Sequence, residues 1–258
     1  MTDNIRSEIA LPERLDGVVL LQVRLSAAPP DGVFDELSSQ VQGLLRLADM
    51  GAYVVQAVGP ESSAAEALRE RRIYDGMAWE FRAVAIDARV AQVIHNMLVA
   101  FSKLIHPVEW FSMQAGDMDD KSAVALPSLG SRSLDQTYPP LSRRLRFEVR
   151  RAPRETRRGG RRVELAFAET LDDDSLARVI ERLELWSSIS LGAYAETEGD
   201  LWSGEAVIFD ALPDIMDDYA VEMPIDKFGA PEIAWNSLLN LCGRCDRDIA
   251  RITSVTIE

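Results

Sequence analysis

Two periodicities run through the chain, and each occurs twice. Leu21, Val23 and Leu25 alternate in GVVLLQVRLS, and Val163, Leu165 and Phe167 alternate in RRVELAFAE, 142 positions later. Alternation of this kind marks a strand with one buried face. Each run is followed by apolar residues at helical spacing. The first stripe is Phe34, Leu37, Val41 and Leu44; the second is Leu176, Val179, Leu183 and Trp186. Both step by 3, 4 and 3, which predicts amphipathic helices at the same offset. Gly51-Ala52-Tyr53 and Gly192-Ala193-Tyr194 come next, offset by 141. A glycine after the last periodic residue reaches positive φ without a Cβ clash and stops a helix.

The second strand of each half is weaker. AYVVQAV (52–58) supplies it in the first half; its counterpart AYAETE is more polar, so 206-AVIF-209 is the better choice in the second. MAWEFRAVAID (77–87) and YAVEMPID (219–226) predict further strands. A second helical stripe follows in each half: Ile94, Met97, Phe101 and Leu104, then Trp235, Leu238, Cys242 and Cys245, with Pro231 suited to a first helical turn. VEWFSMQ (108–114) and RITSVTIE (251–258) read as closing strands.

Each half therefore reads β-α-β-β-α-β. The expected fold is α+β, a tandem duplication of a ferredoxin-like plait, with antiparallel sheets and helices on one face. The first copy spans 15–114 and the second 161–258. Residues 115–142, rich in Ser, Pro, Gly and Asp, read as a linker. Such a plait hosts many unrelated functions, so function has to come from a site.

Charge is the next clue. The 258 residues carry a formal net charge of −14, which argues against general binding to nucleic acid or anionic membrane. Yet RRLRFEVRRAPRETRRGGRR (143–162) holds ten arginines against Glu148 and Glu155. Its alternation, turn and re-entry into the strand at 161 predict an Arg-rich hairpin arm over 143–160. The first strand of a plait already has neighbours on both sides. The partner at 145–151 is then an edge strand, a projecting arm or a strand added to the first copy. The opposite extreme is 196–226, with ten acidic residues and no Lys or Arg. Basic arm and acidic strip either face each other, within a chain or across a homodimer, or the arm takes an external anion, or it is simply solvated. The candidate binding residues are Arg143, Arg144, Arg146, Arg150, Arg151, Arg154, Arg157 and Arg158 on the arm, and Asp210, Asp214, Asp217 and Asp218 on the strip.

Candidate chemistry is sparse. Cys242 and Cys245 form a Cys-x-x-Cys, but near the C-terminal end of a helix, where the dipole disfavours thiolate. Zinc needs a second ligand pair, and His95 and His106 lie in the other half. The equivalents of the two cysteines are Phe101 and Leu104, so the pair is expected to be reduced core. His106 is expected at helix-terminal carbonyls. Asp117, Asp119 and Asp120 lack the rest of a calcium loop, and Asp172, Asp173 and Asp174 fit a helix start. Gly159-Gly160 precedes a strand, not a helix, so it is no phosphate loop. No metal, cofactor or catalytic set is expected.

MTDNIRSEIALPERLDG has no apolar secretory core, no apolar run approaches the roughly 18 residues of a membrane span, and two cysteines give no disulfide framework. A cytoplasmic protein without membrane contact is expected. Three functional readings follow. The first is a non-enzymatic, acidic protein-binding module of inhibitor, immunity or adaptor type, acting by charged surface complementarity on a basic protein partner. The second is a small-molecule sensor or enzyme using a cleft between the plaits or an open sheet face bearing Trp79, Phe81 and Tyr219. The third is RNA binding through the Arg-rich arm.

Overall fold

The computed structural model describes residues 6–10, 18–53, 69–73, 78–84, 93–95, 97–98, 101–102, 105–115, 141, 145–151, 161–189, 214–217, 219–225 and 232–257. The fold is α+β. The chain divides into two compact units, Met1–Asp49 with Val55–Gln136 and Met50–Val54 with Thr137–Glu258.

The first unit holds strands β1 (Arg6–Ala10), β2 (Val18–Leu25), β3 (Arg69–Ile73), β4 (Ala78–Val84) and β5 (Val108–Ala115), and helix α1 (Val33–Asp49). Residues 93–95, 97–98 and 101–102 are also helical. Its sheet has the order β1-β5-β2-β4-β3. β2 is antiparallel to both its neighbours, and β1 lies parallel to β5 at the edge. Leu21, Val23 and Leu25 are fully buried, as their alternation requires. Phe34, Leu37, Val41 and Leu44 are buried with them, and so are Ile94, Met97 and Phe101. α1 ends where Gly51 adopts φ +84°, the left-handed conformation that stops the helix.

The second unit holds β6 (Glu148–Arg151), β7 (Arg161–Phe167), α2 (Asp173–Ser188), β8 (Asp214–Asp217), β9 (Ala220–Ile225), α3 (Glu232–Asp248) and β10 (Ile252–Ile257). Its sheet has the order β6-β10-β7-β9-β8, the same arrangement element for element. Asp172 starts α2: its carboxylate accepts from the Ser175 amide at 2.7 Å, the N-cap role expected of that acidic cluster. The core joins Val163, Leu165, Phe167, Val255 and Ile257 of the sheet to Val179, Leu183 and Trp186 of α2 and to Trp235, Leu238, Cys242 and Cys245 of α3. Trp186 and Trp235 pack with ring centroids 6.3 Å apart, and Trp186 Nε1 donates to Ser237 Oγ at 2.9 Å.

Helix α3 is buried beyond its predicted stripe. Asn240, on the side away from Leu238 and Cys242, is 3% exposed and donates to the Ala52 carbonyl at 3.1 Å. A Cβ built on Gly243 would lie 2.7 Å from Leu145 Cδ2. Gly51 approaches the Arg244 side chain. Both flanks of this helix are thus covered, which explains small or amide side chains where a surface helix would carry charge.

Two expectations are corrected. Residues 145–151 form no hairpin with the strand at 161–167. β6 pairs parallel with β10, and β10 separates it from β7. β6 and β7 run in opposite directions, but the intervening β10 takes the ladder positions a hairpin would need. The edge strands beside β4 and β9 are RERRI (69–73) and DIMD (214–217), not AYVVQAV and AVIF; residues 54–58 and 206–209 lie outside the described residues. Trp79 and Phe81 lie on β4, in register with Val23 and Leu21 of β2.

Candidate binding face of the second sheet

Side chains alternate across a sheet, so each register row lies on one face. In the second unit one row runs Arg150, Thr256, Glu164, Glu222, Asp214, one residue from each strand. It lies opposite to the core rows, since its neighbours Val163, Leu165 and Val255 are buried. Three adjacent strands thus place Glu164, Glu222 and Asp214 directly opposite one another. Like charges in direct register are destabilising. Arg162 partly compensates: its Nη1 lies 3.4 Å from Glu222 Oε2, whose side chain is 20% exposed. Arg150 holds Glu148 at 2.6 Å on the surface. That contact lowers the Glu148 carboxyl below its usual range and raises the Arg150 guanidinium, with Glu164 adding to the latter.

Sequence reasoning did not single out Glu164, Glu222 or Arg162. The Arg-x-Glu of β7 was visible, but its alignment with Glu222 and Asp214 depends on strand register. Of the arm residues, Arg146, Arg150 and Arg151 are described, and all three are exposed. Asp214 and Asp217 lie on β8. Arg143, Arg144, Arg154, Arg157, Arg158, Asp210 and Asp218 lie outside the described residues. Within the unit, β6 and β8 occupy opposite edges, four strand spacings or about 19 Å apart. The arginines of β6 and the aspartates of β8 therefore do not face each other in one sheet. Among the described residues, Arg162 and Glu222 bring the basic segment and the acidic strip into contact.

The cysteines sit in the last turns of α3, and the Cys245 carbonyl accepts from the amides of Ile249 and Ala250. Both are free, with Cys242 fully buried and Cys245 1% exposed. Burial pushes the Cys242 thiol well above its ordinary value, and the neighbouring Cys245 adds to this. Burial also raises Cys245, against the opposing pull of Arg182, whose guanidinium donates to Sγ at 3.6 Å. Arg182 and Arg244 both pair with Asp248, and Asp246 accepts the Ile252 amide at 3.0 Å. These contacts tie α3 to α2 and β10. Nothing there activates a thiolate.

His95 is buried and tilts against Phe111 at 5.4 Å. The His106 ring bonds the Ala27 carbonyl at 3.2 Å, while its amide, not its imidazole, bonds the helix-end carbonyl of Phe101. Tyr219 is exposed. Among the described residues, no group of three or more His, Cys, Asp or Glu side chains is placed to hold a metal ion, and no helix is long and apolar enough to cross a membrane. No protein-family model matches the chain, and neither does any curated protein.

Proposed function

We propose that this protein is a non-enzymatic binding module that captures a basic protein partner on the open face of its second sheet. The carrying observation is the run of Glu164, Glu222 and Asp214 in direct register. A sheet that holds three carboxylates in line is relieved by cations arriving from outside, and a net charge of −14 steers such a partner inward. The scaffold of this reading is a tandem duplication of a ferredoxin-like plait. It is supported by the order of the last four strands of each sheet, β5-β2-β4-β3 and β10-β7-β9-β8, each with one added edge strand. Two free, buried thiols suit a cytoplasmic setting.

The test is salt-graded capture from native-host lysate on immobilised wild type and on the Glu164→Gln/Glu222→Gln variant, with mass spectrometry of what is retained. Basic proteins should bind wild type at low salt, fade as salt rises, and be lost from the variant while its circular dichroism is unchanged. Equal retention by the two proteins, or retention indifferent to salt, overturns the reading.

A further inference from the structure

The charged row of the second sheet begins on a cation and ends on a carboxylate. Arg150 stands at the β6 edge and Asp214 at the β8 edge of a single line of register. About 19 Å of sheet keeps them apart, so neither neutralises the other within one sheet. The strand directions add a second condition. β6 runs parallel to β10, and β10, β7, β9 and β8 alternate antiparallel, so β6 and β8 point in opposite directions. A second copy placed to continue the sheet in the same orientation therefore brings its β8 against β6 as an antiparallel pair. In that register its Asp214 falls beside Arg150.

We propose that the chain associates with itself head to tail, the β6 edge of one copy pairing with the β8 edge of the next. Edge strands carry unsatisfied backbone donors and acceptors, and strand addition uses them. Among the described residues no strand lies beyond either edge. Charge selects the pairing. Two β8 edges would oppose aspartates, which is unfavourable. The mixed pairing sets Arg150 opposite Asp214, a match of opposite signs. Arg150 must then exchange Glu148 for Asp214 of the next copy, and this costs little. The Arg150 and Glu148 side chains are 59% and 61% exposed, and such surface pairs contribute little. At about 0.15 M salt the screening length is about 8 Å, which damps the repulsion between two chains of −14 but not a cross-strand pair. Because the interface uses different surfaces on the two copies, it does not close, and it grows with concentration. Arg150 plays no part in capturing a basic partner, so this inference and the preceding reading fail separately.

The experiment is sedimentation velocity on the full chain at about 0.15 M salt over rising concentration, for wild type, Arg150→Asp, Asp214→Arg, and an equimolar mixture of the two variants. Wild type should sediment faster as concentration rises. Each variant alone should associate about tenfold more weakly or not at all, since its two edges carry one sign. The mixture should regain association, because the acidic β6 edge of the first variant meets the basic β8 edge of the second, and the unaltered Arg150 and Asp214 edges still match. A role confined to folding stability would give no rescue on mixing. The cationic edge strand β3 is the competing partner for β8, so Arg71→Asp is run alongside. Wild type that stays single-copy overturns the proposal, as do variants that associate like wild type, a mixture without rescue, or association lost in Arg71→Asp but kept in Arg150→Asp.

Discussion

The two sheets share one strand order and differ in what stands at matching positions. Where the first unit has Leu44, Ile94 and Phe101, the second has Trp186, Trp235 and Cys242, all buried. Bulk has moved from one helix position to two others, and the small thiol stands where the large ring was removed. In the corresponding row the first sheet runs Glu8, Ser112, Gln22, Glu80, Arg71 in register, so that Glu80 stands between a neutral and a cationic residue. The second sheet, with Glu164 in place of Gln22, accumulates three carboxylates. The shared strand order tolerates both solutions, since each keeps a buried apolar core against its sheet. The cysteines are therefore a packing consequence, and the acid row is where the second unit departs from what folding needs.

The comparison breaks most visibly at the tryptophan. Trp186→Ala should destabilise the second unit by about 3–5 kcal/mol in denaturant unfolding, since it empties a buried site and removes the indole donor to Ser237. Exchanging core solutions is sharper. Cys242→Phe alone should cost about 1–3 kcal/mol by overpacking, and less when Trp186→Leu is present. Additive losses would mean that the two sites do not share volume. Asn240→Ala should cost about 1–3 kcal/mol, because the buried Ala52 carbonyl loses its donor. The rows themselves give the smallest stability effect. Gln22→Glu, which places a carboxylate opposite Glu80, should lower stability by roughly 0.2–1 kcal/mol at low salt, and Glu164→Gln should raise it by a similar amount.

Thiol titration and pH separate packing from chemistry. A thiol-reactive dye should find no reactive cysteine in the folded chain and two after denaturation. Raised thiol values have a defined sign. Their contribution is intact below the unfolded cysteine pKa, and it is lost as pH rises through the folded values. Unfolding free energy should therefore fall at alkaline pH, and Cys242→Ala/Cys245→Ala should flatten that limb. Asp172 has the opposite sign. Its carboxyl is lowered by the Ser175 bonds, so the cap acts above the ordinary aspartate value and fades as pH falls through the lowered one.

The sequence by itself determined the elements with one buried face. Alternation marked β2 and β7, and the 3, 4, 3 stripes marked α1, α2 and α3, because burying apolar area fixes the period of the side chains that supply it. It also determined that Cys242 and Cys245 belong to a core, through their place in a helical stripe. Edge strands carry no such signal. β1, β3, β6 and β8 are short and charged, as unpaired edges are, so RERRI and DIMD show no apolar alternation. Nor does sequence contain register. Whether Glu164 meets Glu222, or Arg150 ends the line that Asp214 begins, depends on which residues of distant strands share a rung. Only the tertiary structure decides that, because the hydrogen bonds that set it join residues about sixty to a hundred positions apart.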